Sequence, residues 1–330
     1  MAVRAEEKPT LSYSQVSSWL RCRYAWRLSY EERLERAEVR WAPSLGSAVH
    51  AGIAAALLRK HAMDQLSRPF DSEAILTAIR EGVEQWIKRV MEPVDHDLVD
   101  EELAAAIEDA VEQIAPQAVE ISRRTLEYIK IWEWRTLTDK QGQPLIEYRF
   151  EVPLRGWRCF IGYVDWVAVH EPTRHMWLID WKVRGAFQPD DNEEINLQHA
   201  AYQYGIWRAT GHRLTGTMTV QISDKLPQKP KLNKDGSMSR ALIRTDWETY
   251  KAALIEAGLD PSDYLDMKEK LSTVEWVRPS KHYRTIGEAF AVWKEVIQPV
   301  AAELRSKRKR IYRTMSPRVC RGCEYKELCL

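Results

Sequence analysis

Three side chains near the middle of the chain are of types that could act together. Asp165 closes the run Gly162-Tyr-Val-Asp165, and Asp180 and Lys182 stand on either side of Trp181. Both runs lie in stretches of β-type character, Cys159 to Val169 and Met176 to Val183, and residues two apart on a strand project from one face. Asp180 and Lys182 therefore point together, and a hairpin between the stretches can place Asp165 close to Asp180. Two carboxylates and an ammonium on one patch of sheet would hold Mg²⁺ or Mn²⁺, which favour hard oxygen ligands, with the lysine orienting a water or stabilising charge on a phosphate. Taken singly, each acid reads first as a solvated position on an open sheet face. Trp166, Val167, Leu178 and Ile179 make the strands look buried instead, and a buried carboxylate needs a partner.

The cysteines form a second group. Cys320, Cys323 and Cys329 make a Cys-x2-Cys-x5-Cys run, while Cys22 lies on or just past the first helix and Cys159 on a strand. Three clustered thiolates with Cys22 as the fourth would supply the ligands of a [4Fe-4S] cluster or of a zinc ion; free thiols are the third reading. Cys159 reads as an ordinary buried core residue.

The elements that must position these groups change period along the chain. Ser12-Tyr-Ser-Gln15 has capping-box spacing and opens a helix with Val16, Trp19, Leu20, Tyr24 and Leu28 on its period. A second helix is expected from about Ser44 to Met63. Residues 72 to 135 read as two or three amphipathic helices interrupted near Pro93 and Pro116. Three strands follow, Leu145 to Val152 and the two above, as a meander. A helix at about 193 to 210 and a strand from Thr217 to Ile222 then complete one crossover of a mixed α/β core. Residues 224 to 244 read as an exposed basic loop, Glu275 to Val277 as a further strand, and Thr285 to Arg313 as a final helix.

Composition fits a globular protein: 45% of the 330 residues are hydrophobic and 29% charged, enough apolar area for a real core. Net charge is +1, which by itself points to no polyanionic partner. No apolar run approaches the roughly 18 residues of a membrane span, and MAVRAEEKPT lacks the apolar segment of a signal peptide, so a soluble, cytoplasmic chain without a membrane partner is expected. In a reducing compartment clustered thiols argue for metal over disulfides.

The motifs together resemble the PD-(D/E)XK nuclease superfamily, and within it the RecB-like branch that includes CRISPR-associated iron-sulfur exonucleases. The matching runs are Gly46 to His50, Gly162 to Asp165, Asp180 to Lys182 and Gln198 to Tyr202, with Leu11-Ser-Tyr-Ser14 ahead of a cysteine and the cysteine-rich tail behind. The resemblance implies a restriction-endonuclease-like α/β fold, a mixed sheet flanked by helices, with a helical insertion and a C-terminal iron-sulfur staple. It divides the chain into N-terminal core helices (1–63), a helical insertion (64–141), the core sheet and its Gln-x-x-x-Tyr helix (142–223), a basic loop and insertion (224–285) and a terminal helix with the cluster tail (286–330).

The site residues are carried over in the same way. Asp165, Asp180, His50 and the Trp181 backbone carbonyl would bind the catalytic Mg²⁺ or Mn²⁺, Lys182 would position or help deprotonate the attacking water, and Gln198 and Tyr202 would contact DNA or steady Lys182. Cys22, Cys320, Cys323 and Cys329 would hold the [4Fe-4S] cluster, with Zn²⁺ the alternative. Glu147 and Glu151 lie on the first strand, and one of them could face the site. The implied activity is hydrolysis of DNA phosphodiesters, as an exonuclease in recombination, repair or phage DNA processing, on single-stranded or end-frayed duplex DNA. The chain has no Gly-x-x-x-x-Gly-Lys-[Ser/Thr] loop, so a helicase motor would be a separate partner. The alternative is a catalytically inactive DNA-binding or assembly module that keeps the fold. Nine basic residues against one acid between Arg305 and Lys326, with six more from Lys225 to Arg244, are where a phosphate backbone would bind; acid-rich helices elsewhere cancel them in the net charge.

Overall fold

The computed structural model describes residues 9–34, 43–96, 99–189, 196–241 and 243–329. A two-residue strand, β1 (Leu11–Ser12), runs into α1 (Tyr13–Arg21), which Ser12 caps by accepting from the Gln15 N–H. The Gln15 side chain turns to the Thr10 carbonyl, so only half of the expected capping box forms. Cys22 separates α1 from the short α2 (Arg23–Trp26). Ser44, Asp71 and Asp100 then cap α3 (Leu45–Gln65), α4 (Ser72–Asp95) and α5 (Glu101–Tyr128). The break expected at Pro116 does not occur, because α5 runs through it. Burial of Ile107, Val111, Ala118, Ile121 and Leu126 in the core outweighs the one backbone hydrogen bond a proline removes.

The strands are β2 (Trp134–Thr136), β3 (Ile146–Val152), β4 (Phe160–His170) and β5 (His175–Arg184), followed by α6 (Leu197–Thr210) and β6 (Gly216–Ser223). The start expected for α6 near 193 lies outside the described residues. After α7 (Trp247–Glu256) and α8 (Leu265–Leu271), β7 (Val277–Tyr283) pairs antiparallel with β6, so part of the stretch expected as loop and insertion completes the sheet. β3, β4 and β5 form the antiparallel meander, and α6 carries the crossover that sets β6 parallel to β5. The final helix is α9 (Ile286–Val292), a wider turn (Trp293–Ile297) and α10 (Gln298–Arg305); it stops eight residues short of the expected Arg313. Arg305, Arg308 and Lys309 would stack like charges three and four apart, which disfavours further helix.

Two apolar layers sandwich the sheet. One face packs on α3, α4 and α5 through Trp166, Ile179, Trp181 and Val220. The helices expected as an insertion thus share a core with the sheet. The other face packs on α1, α6, α9 and α10 through Phe150, Phe160, Val164 and Leu178. Residues from Met238 to Leu271 carry a small core of their own around Tyr250, Leu254 and Met267.

The pairing of β4 creates the feature that matters for the site. β3 and β1 both pair at Phe160 and Ile161, so they lie on opposite edges of β4; β3 and β5 both pair at Trp166, so they also lie on opposite edges. β1 and β5 therefore share one edge, and between them residues 162–165 of β4 face a notch with no partner strand.

Candidate active site

Asp165 ends that notch. Continuing the β4–β5 register would pair it with Asp180, but the ladder stops at Trp166 and Ile179, and the Asp165 Oδ2 accepts the Trp181 N–H at 2.8 Å. The carboxylate is wedged where the two strands part. On the opposite edge the β3–β4 register skips the pair Glu147 and Asp165, and Glu147 has φ +46°. A left-handed glutamate is strained, and such strain gathers where a side chain must be re-aimed. Both strands change faces here: Ile146 and Trp166 belong to the α3–α5 layer, whereas Phe150 and Val164, of the same parity, belong to the other.

His50 reaches the site from the first turns of α3. Its Nε2 lies 3.0 Å from the Trp181 carbonyl, an acceptor only, so Nε2 carries the hydrogen and Nδ1 presents its lone pair. Nδ1 is 3.8 Å from Glu147 Oε1 and 3.8 Å from Asp165 Oδ2, and one ligand atom from each of the three residues lies within 4.8 Å of the others. An imidazole lone pair facing two carboxylate oxygens is stable only with a proton or a cation between them. Burial disfavours the imidazolium, but the two carboxylates outweigh it and raise the His50 pKa above its ordinary 6.5.

Asp180 and Lys182 project together from β5, with Lys182 Nζ 2.8 Å from Asp180 Oδ1. Asp180 Oδ2 is buried and, among the described residues, has no hydrogen-bond partner within 3.5 Å; His199 Nε2 of α6 stands 3.8 Å away. Burial works against the Asp180 charge, yet the neighbouring His199 and Lys182 hold its carboxyl below the usual value. Asp165 goes the other way: burial first, then the Asp180 charge, push its carboxyl up to about 6. Two acids with opposed environments and an orphan carboxylate oxygen form a donor set suited to a hard divalent cation.

Gln198 and Tyr202 share the face of α6 beside the notch. Burial raises the Tyr202 phenol above its ordinary pKa, with the neighbouring Gln198 side chain and Tyr163 backbone working against it, and its ring lies edge-on to Phe150 at 5.2 Å. Gly162 makes this fit possible, since a Cβ there would lie 2.4 Å from the Phe150 ring and 2.9 Å from Tyr202. Trp181 serves the site through its backbone, its N–H on Asp165 and its carbonyl on His50. Glu147 is the residue on which sequence reasoning made no commitment. Its signal was the hairpin itself, since folding β3 onto β4 about Gly156 sets Glu147 opposite Asp165.

The thiols of Cys22, Cys320, Cys323 and Cys329 line one small cavity with Tyr24, Ala25 and Arg313. All four are unpaired, and among the described residues no three of them come within 4.8 Å of one another as the His50 group does. Burial pushes the Cys22 thiol up, but N–H groups of Thr314, Ala25 and Tyr24 outweigh this and lower its pKa, a setting that favours thiolate. The stretch after α10 is strapped to the first helices by Tyr24 N–H to the Tyr312 carbonyl (3.2 Å) and Arg23 Nη1 to the Arg310 carbonyl (3.2 Å). Several expected DNA-binding cations are paired internally, Lys229 with Glu256 and Arg240 with Asp266. Cys159 is buried just ahead of β4 and does not line that cavity.

No described helix is long and apolar enough to cross a membrane. No curated protein matches the chain. A family model does match it, over residues 10–330, a span within which all of the elements described above fall. The chain belongs to the PD-(D/E)XK nuclease superfamily.

Proposed function

We propose that the protein is a metal-dependent deoxyribonuclease whose centre is held by His50, Glu147, Asp165 and Asp180. The observation that carries this reading is the convergence of the His50 Nδ1 lone pair with two carboxylates, beside the orphan Asp180 Oδ2 and the Lys182 ammonium. A divalent ion bound there would acidify water and offset negative charge on the scissile phosphate. Lys182, tied to Asp180, positions the attacking water or steadies the phosphate. The Trp181 backbone fixes His50 and Asp165 through its carbonyl and N–H, and its carbonyl is a further candidate ligand. Gln198 and Tyr202 wall the notch where a nucleotide would lie. Incubating linear and circular, single- and double-stranded DNA with Mg²⁺ or Mn²⁺ tests the reading: metal-dependent cleavage that Asp165→Ala abolishes is expected. Binding without cleavage, or equal cleavage by the variant, would leave an inactive DNA-binding module.

The finer assignment is to the RecB-like iron-sulfur branch, with exonuclease action in recombination, repair or phage DNA processing and a separate helicase or recombination partner. The convergence of four thiols on one cavity, with N–H donors on Cys22, supports a structural [4Fe-4S] cluster that ties the helices after β1 to the tail. A tetrahedral zinc site, with Zn–S near 2.3 Å, would instead draw its sulfurs to about 3.8 Å apart. Anaerobically purified protein should be brown and contain about four irons per chain, and Cys22→Ser should lose both colour and stability. Colourless, zinc-only protein would overturn the cluster.

A further inference from the structure

The sheet face beside the candidate centre carries two side chains that the centre does not use. Arg149 of β3 and Tyr163 of β4 are register partners, two residues along the strands from Glu147 and Asp165. Their neighbours Phe150 and Val164 are buried in the layer that holds α1 and α6, so Arg149 and Tyr163 project from the other face, the one from which His50 enters. Two residues of strand set the pair about 7 Å from the two carboxylates, a distance comparable with the span of one nucleotide.

The face is open here. Tyr163 is 56% exposed although it stands between two buried residues, and its free strand edge meets the notch. A bare phenol ring in mid-strand offers a flat apolar surface that any base can cover. Arg149 Nη1 is held at 2.5 Å by Glu151 Oε1, with the two side chains 39% and 44% exposed. An ion pair so open to water is weak, so a phosphate can take the guanidinium from Glu151 and bind it through two N–H donors. The cation centre is thus followed along the sheet by a phosphate anchor and a base platform, side by side.

We propose that Tyr163 and Arg149 form the subsite for the nucleotide flanking the scissile phosphate, the ring stacking on its base and the guanidinium holding its far phosphate. This rests on the nuclease reading of the centre and adds two binding residues to it. Because every base has a flat face, the subsite grips a nucleotide without choosing among the bases.

Isothermal titration in Ca²⁺ reads the subsite without chemistry. Thymidine 3′,5′-bisphosphate should bind the wild type about tenfold more tightly than either thymidine monophosphate, and Arg149→Gln should erase that preference. Tyr163→Ala should weaken the bisphosphate about tenfold but leave the abasic deoxyribose bisphosphate unaffected, and Tyr163→Phe, which keeps the ring, should regain the loss. Glu151→Gln, which releases Arg149, should tighten the bisphosphate about twofold. A preference that survives Arg149→Gln, equal losses for the thymidine and abasic ligands in Tyr163→Ala, or no detectable binding of the bisphosphate overturns the subsite. A nuclease failure shows separately, as wild-type protein that cleaves no DNA in Mn²⁺ while these differences in binding persist.

Discussion

Replacing Asp165 with asparagine should stabilise the metal-free protein while abolishing its response to metal. The carboxyl titrates at 3.8 in the unfolded chain and at about 6 in the fold, so the folded state binds this proton more tightly and stability from this group falls as pH rises between the two values. Above pH 6 the buried charge is fully present, and a shift of about two units corresponds to on the order of 3 kcal/mol of destabilisation. At pH 4.5 about 1 kcal/mol of it remains. Asparagine keeps an oxygen to accept the Trp181 N–H and carries no charge. With an unfolding entropy near 2.1 cal/mol/K per residue, about 3 kcal/mol raises the melting temperature of a chain this size by about 4 °C. Calorimetry in metal-free buffer at pH 8 should show that gain for Asp165→Asn, shrinking toward pH 4.5, and millimolar Mn²⁺ should raise the wild type but not the variant. An Asp165→Asn protein that melts at or below the wild type at pH 8, or that is stabilised equally by Mn²⁺, would refute the account of a carboxylate held charged for a cation.

Three further outcomes follow from the geometry. Lys182→Ala should reduce kcat by about 10²-fold or more while the melting temperature moves little, because Lys182 is 40% exposed; collapse of the fold would mark the lysine as structural. Glu147→Gly removes a ligand and relieves a left-handed φ at once, so isothermal titration should show weaker Mn²⁺ binding with melting unchanged or higher, and unaltered Mn²⁺ affinity would exclude Glu147 from the centre. Gly162→Ala should cost about 1–3 kcal/mol by overpacking Phe150, and adding Phe150→Leu should return part of it, a coupling that denaturant titration of the double variant would detect.

The sheet and the acids on it were legible because they obey a period of two. Asp180 and Lys182 share a face in sequence as they do in the fold, and the limits of β3 to β6 fall within a residue or two of expectation. β7 (Val277–Tyr283), by contrast, begins where the strand expected from Glu275 to Val277 ends. Glu147 was less legible. Period two places it with Arg149 and Glu151 on a polar face, and only the backbone turn at its own φ aims it at His50. His50 came from resemblance, since a histidine on an apolar helix carries no signal of what its Nδ1 will meet. The terminal helix was overextended because charge repulsion among Arg305, Arg308 and Lys309 is invisible to a hydrophobic pattern. Pro116 misled in the opposite sense, since local propensity yields to a buried helix stripe.

The change of face at Glu147 and Asp165 gives this sheet a mechanical hinge line. On one side of it, even-numbered residues of β4 lean on one helical layer, and on the other side they lean on the opposite layer. Asp165 sits on that line, its carboxylate held by the Trp181 N–H of the neighbouring strand. Slack introduced anywhere in either layer, by loss of the cysteine strap or by a wedge beside α3, should therefore be felt first as altered metal affinity, well before the chain unfolds.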